Sequence, residues 1–262
     1  MMLQNKVAVI YGAAGAMGGA IARAFALEGA RLFLTGRHQA AIKAVATDIV
    51  SAGGYAEEAE VDALDEQTVE KHLQSVIATA GHVDISFNAV GVPTAKTLGI
   101  PLIELEAEQF SLPLMAYATS YFLTARLAAR HMIPNKSGVI MTVTALHSRT
   151  GLPSVGGYGP AMAAKEALTR NLSVELAPHG IRVVGLRPQA MPETRTITDA
   201  YGRAKAAGLT WDQWQALLAS RTHPRRLMTP EEMANVAVFM ASDKASGMTG
   251  TTVNLTMGSL DD

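Results

Sequence analysis

The chain has 262 residues, 48% of them hydrophobic, with 22 Lys and Arg against 23 Asp and Glu for a formal charge of −1, and it holds 23 Gly, 11 Pro and no Cys. That length suits one α/β domain able to bury a core without disulfides or metals. The absence of Cys excludes thiolate chemistry, iron–sulfur clusters and a disulfide framework and fits a reducing, cytoplasmic setting, while the even charge balance argues against a nucleic-acid or anionic-membrane surface.

The first predicted element is a buried strand, Lys6 to Tyr11, which stops at Gly12. Val7 to Ala22 carries no charge, but it is too short to span hydrocarbon and is broken by Gly12, Gly15, Gly18 and Gly19. No membrane role is expected of it. An Ala-rich helix, Ala20 to Glu28, follows and ends at Gly29; Arg31 to Thr35 is the second strand and Ala40 to Val50 the next helix. Further strands are predicted at Ala56 to Val61, Val83 to Asn88, Gly138 to Val143, Ile181 to Leu186 and Thr252 to Leu255. Helices are predicted at Glu66 to Ala80, Ala107 to His131, Pro160 to Leu176 and Pro230 to Ser242. This alternation implies a Rossmann-type, doubly wound α/β fold: a mostly parallel sheet with helices on both faces, in a single domain over residues 1–262.

The turn Gly12-Ala13-Ala14-Gly15-Ala16-Met17-Gly18 lies between the first strand and first helix. Glycines there let the backbone turn tightly and approach a pyrophosphate, whose charge the helix N-terminus stabilises. The other reading is close packing alone. At the end of the second strand, where an acid would favour NAD, stands Thr35-Gly36-Arg37-His38. Arg37 suits a 2′-phosphate, so NADP(H) is preferred over NAD(H); the alternative is a solvated arginine.

Taken in order, that glycine turn, Val61-Asp62-Ala63, Asn88-Ala89-Val90-Gly91, Arg187-Pro188-Gln189, Arg226 to Ala234 and Met248-Thr249-Gly250 resemble the short-chain dehydrogenase/reductase family over nearly the whole chain. Tyr11 and Ala16 depart from the usual T-G-x-x-x-G-x-G. The resemblance gives Asp62 an adenine contact, places Asn88 and Gly91 in the segment the family writes N-N-A-G, and implies a dimer or tetramer of identical chains formed through the long helices and final strand. It also implies a reaction in which a Tyr exchanges the proton, a Ser holds the substrate oxygen, a Lys four residues after the Tyr lowers its pKa and binds the nicotinamide ribose, and an upstream Asn supports a proton relay.

Counted without gaps, Tyr158 takes the Tyr position, but the Ser, Lys and Asn positions are Ala145, Met162 and Tyr117. Lys165, seven residues after Tyr158, lies about 20° from its direction on a helix and roughly 4.5 Å farther along. The same Tyr-x6-Lys spacing occurs in bacterial enoyl-acyl-carrier-protein reductases, which resemble this family. Against that, Pro160 reads as a first-turn residue, which would leave Tyr158 just outside the helix. Lys165 is therefore either a substitute lysine or the head of an exposed Lys165–Thr169 stripe. His147, in the loop after the vacant Ser position, is a candidate acid–base group or a solvated loop residue. Tyr117 either places a hydroxyl in the pocket or packs.

Without its Lys, a Tyr keeps a pKa near ~10, so it remains protonated at neutral pH and can donate a proton but is a poor base. Residues 189–225 stand where the family keeps its substrate-covering segment; they hold Trp211 and Trp214, and Ala216-Leu217-Leu218 continues an amphipathic helix. The resulting expectation is an NADP(H)-dependent oxidoreductase that reduces a C=O, C=C or C=N group of a mostly apolar small molecule, with no metal site. The alternatives are a non-redox isomerase, eliminase or cyclase on the same fold, or a silent dinucleotide-binding protein.

Overall fold

Strand β1 (Val7–Tyr11) is buried along its whole length, as a parallel strand covered on both faces must be. Its side chains alternate between two cores. Ala8 and Ile10 join one cluster, and Val7, Val9 and Tyr11 the other. The computed structural model describes residues 1–93 and 97–261, and it has helices on both faces of a seven-stranded parallel sheet in the order β3-β2-β1-β4-β5-β6-β7. The remaining strands are β2 (Arg31–Gly36), β3 (Tyr55–Glu60), β4 (Ile85–Asn88), β5 (Gly138–Val143), β6 (Ile181–Pro188) and β7 (Thr251–Leu255).

One face packs α1 (Ala16–Leu27) and α2 (Gln39–Ser51) through Ile21, Phe25, Ile42, Val45 and Ile49. The opposite face packs α3 (Glu66–Ala80), α4 (Ala107–Met132) and α5 (Tyr158–Leu176) through Val69, Leu73, Tyr121, Ala125, Leu172 and Leu176. Helix α3 begins where Asp65 accepts the N–H groups of Gln67 and Thr68, and it ends at left-handed Gly81. Two helices, α6 (Arg195–Ala206) and α7 (Trp211–Ala219), fill the segment in which the sequence pattern marks one. The last helix, α8 (Pro230–Ala241), starts in a Thr229–Glu232 capping box and returns to the first face.

The order of strands places the reversal of winding between β1 and β4, and crevices outside the C-terminal strand ends at such a point are where ligands bind in this architecture. Here Gly12 follows β1 and Ala89 follows β4. The uncharged Val7–Ala22 segment is strand, turn and half a helix. Among the described residues no helix is long and apolar enough to cross a membrane.

Candidate active site

The glycine turn packs so closely on its neighbours that two of its glycines admit no side chain. Gly12 sits at φ +81, where an added Cβ would approach the Ala89 carbonyl oxygen to 2.6 Å, and a Cβ on Gly18 would overlap the Gly12 carbonyl oxygen. Gly15 caps α1 without a side-chain hydrogen bond, and no acidic residue lies in the first turn. The first-turn N–H groups of Ala16, Met17 and Gly18 are therefore not committed to a protein carboxylate, which is what an anion requires. Gly91 has open space where a side chain would stand. Arg37 is exposed and makes no ion pair among the described residues. Asp62 is exposed too, with Oδ1 accepting the Leu64 N–H at 3.0 Å. Tyr11, in place of the usual Thr, buries a hydroxyl with no partner among the described residues, and burial raises its pKa.

Tyr158 is the first residue of α5, inside the helix. The expectation drawn from Pro160 is corrected here: Gly157 is the cap, and Pro160 occupies the third helical position, where its missing N–H still costs no intrahelical bond. Gly157 lets this end approach α4, because a Cβ there would overlap the Phe110 carbonyl oxygen. The Tyr158 ring packs edge-on against Tyr117 at 5.7 Å and His147 at 5.3 Å, with Met162 in the same cluster. Burial first, and the neighbouring Tyr117 second, raise the Tyr158 pKa well above the usual phenol range, against a smaller lowering by the Thr196 side chain. The Thr196 side chain also lowers the pKa of Tyr117, whose phenol accepts the Val92 N–H at 3.4 Å. Tyr117 thus both packs and presents a hydroxyl.

Lys165 is 1% exposed and Thr169 is fully buried, so the exposed stripe does not exist. The Lys165 ammonium donates to Asn88 Oδ1 at 3.4 Å and lies 5.7 Å from the ring centres of both Tyr117 and Tyr121. Burial lowers its pKa to about 7. Asn88 in turn donates Nδ2 to the Thr124 hydroxyl at 3.2 Å. The ammonium is thus bonded to the last residue of β4, next to Ala89, whose carbonyl faces Gly12.

Ala145 leaves no hydroxyl at the Ser position. Its neighbour cannot stand in, because Thr144 Oγ1 is engaged by Glu166 at 3.2 Å and by the Leu186 carbonyl at 3.3 Å. Glu166 is the hub of a buried network: Arg187 donates Nε at 2.8 Å and Nη2 at 3.0 Å, and Ser148 donates at 2.5 Å. Burial would raise its pKa, but the bonds from Arg187, Ser148 and Thr144 outweigh that and lower it. The network ties the His147 loop to the end of β6. His147 is neutral at physiological pH, its pKa lowered to about 4 by burial and then by Arg221.

Two connected cavities meet at Tyr158. A small one of about 60 Å³ lies beside Met17, Ala145, Pro188 and Met191; a larger one of about 420 Å³ is walled by Leu146, Leu152, Ile197 and Trp214. Tyr158, His147, Gln189 and Thr196 line both. Gln189 bonds the C-terminal Ser259 hydroxyl, closing one side of the larger space.

A family model described as enoyl-(acyl carrier protein) reductase matches residues 12–259. The 7α-hydroxysteroid dehydrogenase of Escherichia coli K12 is 30% identical over 258 residues, 98% of this chain and 95% of that protein. The chain belongs to the short-chain dehydrogenase/reductase family. Cis-4-hydroxycyclohexanecarboxylate dehydrogenase of Sinomonas cyclohexanicum is 31% identical over 94% of this short-chain dehydrogenase/reductase and 93% of its own length. A solved 7α-hydroxysteroid dehydrogenase, in complex with NADH and 7-oxo glycochenodeoxycholic acid, superposes with a TM-score of 0.85 at 28% identity, covering 98% and 94% of the two chains. These named relatives are oxidoreductases, and this short-chain dehydrogenase/reductase is an oxidoreductase by kinship.

Sequence reasoning missed three features of the site. Thr196 escaped because α6 is short and polar overall, with Ala204 its one buried residue, and its Ile197–Ala200–Tyr201–Ala204 stripe was overlooked. The Glu166–Arg187 pair joins residues 21 apart on different elements, and Arg221 reaches His147 from beyond α7. The adjacency of Arg187 to Pro188 was the one available signal, since a charged residue in a buried strand requires a partner.

Proposed function

We propose that the protein is an NADP(H)-dependent reductase of a C=O, C=C or C=N group on a mostly apolar small molecule, with Tyr158 as its proton donor. The observation that carries this reading is the Tyr158 phenol, which lines both cavities and holds its proton far above neutral pH. Such a group gives a proton to a substrate gaining negative charge but does not act as a base on an alcohol at pH 7. The expected chemistry is therefore reduction rather than two-way dehydrogenation.

The bound nicotinamide supplies the hydride. Gly12, Gly15 and Gly18, with the N–H groups of Ala16 and Met17, would hold the diphosphate; Arg37 would pair with the 2′-phosphate, Asp62 would accept from the adenine, and the Asn88–Gly91 segment would border the nicotinamide ribose. Lys165 acts through Asn88 as a positioning residue, while His147, neutral and seated on the Tyr158 ring, offers a hydrogen bond to the substrate. Helices α6 and α7 cover the substrate. Leu112, Met115 and Phe122 on α4 and Val174 on α5 are exposed, which supports assembly of identical chains through the long helices. Light scattering should read a dimer or tetramer, and a monomer would contradict that assembly.

A second reading has its own support: no hydroxyl replaces the missing Ser, since Ala145 has none and Thr144 is engaged. On that reading the pocket binds the dinucleotide without using it, or runs a non-redox reaction. Fluorescence titration with NADPH and NADH, followed by turnover against ketones, enones and imines, separates the two. The reductase reading expects tighter NADPH binding and consumption with at least one class; binding without consumption supports the second reading, and no binding defeats the cofactor assignment.

A further inference from the structure

The larger cavity has mostly aliphatic and aromatic walls, but its charged lining is one-sided. Arg203 and Arg221 both contribute to it, and among the described residues no carboxylate does. Both arginines are exposed, and neither makes an ion pair among the described residues. Arg203 is held in place through its stem, which packs so closely on Gly99 that a Cβ there would overlap its Cδ. Arg221 stands near enough to His147 to disfavour a second positive charge on that ring.

Two of its lining residues, His147 and Trp214, each bury one ring nitrogen, Nδ1 and Nε1, without a partner among the described residues. A volume of about 420 Å³ lies in the range that encloses small organic ligands. Apolar walls and two guanidinium groups without an ion pair among the described residues together describe an amphipathic anion.

We propose that the cavity takes an apolar small molecule bearing one carboxylate or sulfonate, its anion held by Arg221 and Arg203 and its reducible group facing Tyr158. The reacting end of this assignment rests on the reductase reading above; the anion-binding end rests on the cavity alone. A substrate of this kind gains orientation as well as affinity, because a charge held by the arginines restricts which atom meets the phenol.

The test compares two probes of one skeleton, 8-anilinonaphthalene-1-sulfonate and uncharged N-phenyl-1-naphthylamine, titrated by fluorescence into the full chain and into an Arg203→Gln/Arg221→Gln variant. The sulfonate should lose at least fivefold in affinity and the neutral probe less than twofold, so the neutral probe also reports that the variant is folded. Displacement of the neutral probe by 4-oxo-4-phenylbutanoate should weaken in the variant, while displacement by its methyl ester should not. Added salt should weaken only the anions. Equal losses for both probes would assign the arginines to wall packing, and unchanged sulfonate affinity would leave them as solvated surface groups; either overturns the inference. Neither titration requires turnover, so a protein that binds these anions yet consumes no NADPH would lose the reductase reading and keep this one.

Discussion

Replacing Lys165 by Met should make the protein more stable. The ammonium is 1% exposed, has a single amide oxygen at 3.4 Å as its hydrogen-bond acceptor and pairs with no carboxylate among the described residues. A pKa lowered from 10.5 to about 7 corresponds to roughly 5 kcal/mol of preference for the neutral amine. In the unfolded chain the same lysine stays charged to about pH 10.4. Between about pH 7 and that value the unfolded state holds more protons than the folded one, so stability rises with pH by at most ~1.4 kcal/mol per unit from this group. Below the folded pKa both states are charged and the slope vanishes. Methionine fills a similar volume without a charge. Against the relief stand an Asn88 oxygen left without its donor, about 1–3 kcal/mol, and the loss of contacts with two aromatic rings, about 0.5–1 kcal/mol each. The net expectation at pH 7 is a gain of about 0–3 kcal/mol, up to several degrees in Tm. Urea unfolding of both proteins from pH 6.5 to 9.5 reads this directly, and the wild-type rise with pH should be absent from Lys165→Met. A variant less stable at pH 7 by more than ~1 kcal/mol with the pH slope intact would refute the reasoning.

Three other outcomes follow from the same contacts. Glu166→Gln strips the buried Arg187 of its counter-charge and should cost about 3–5 kcal/mol in denaturant unfolding; because the Glu166 pKa is lowered on folding, its contribution is present above the unfolded carboxylate pKa and fades as pH falls through the folded value, an acid-side loss the Gln variant should lack. Gly12→Ala combines a left-handed φ with an approach to the Ala89 carbonyl oxygen, and should lose about 2–4 kcal/mol of stability along with dinucleotide binding in the same NADPH titration. Arg37→Gln should weaken NADPH about tenfold or more and leave NADH unchanged, as read by the two Kd values.

The fold was readable because its elements obey local rules. Helix α3 spans Glu66–Ala80 and strand β5 spans Gly138–Val143, the bounds read from the sequence, and Asp65 and Gly81 cap the helix at its two ends. Helix α6 carries a short stripe, Ile197, Ala200, Tyr201 and Ala204, that was overlooked because the segment is otherwise polar and buries only Ala204 fully. In the site, Tyr158 and the vacant positions around it were accessible by counting along the chain. What counting could not supply was environment. Seven helical positions bring Lys165 to the face of Tyr158, yet its burial and its bond to Asn88, 77 residues away, depend on how α5 lies against β4. A lysine in the core runs against the preference of that residue for solvent, so the exposed reading was the natural one and tertiary packing overrode it. The engagement of Thr144 by Glu166 is likewise invisible until β5 and α5 are adjacent.

The central claim is that Tyr158 donates the proton in a dinucleotide-dependent reduction. The most direct measurement is the rate of NADPH consumption by wild type and Tyr158→Phe on the same substrate, at matched saturation with NADPH. The account predicts a fall of about 10²- to 10⁴-fold with the NADPH Kd unchanged. Consumption by Tyr158→Phe at the wild-type rate would contradict it.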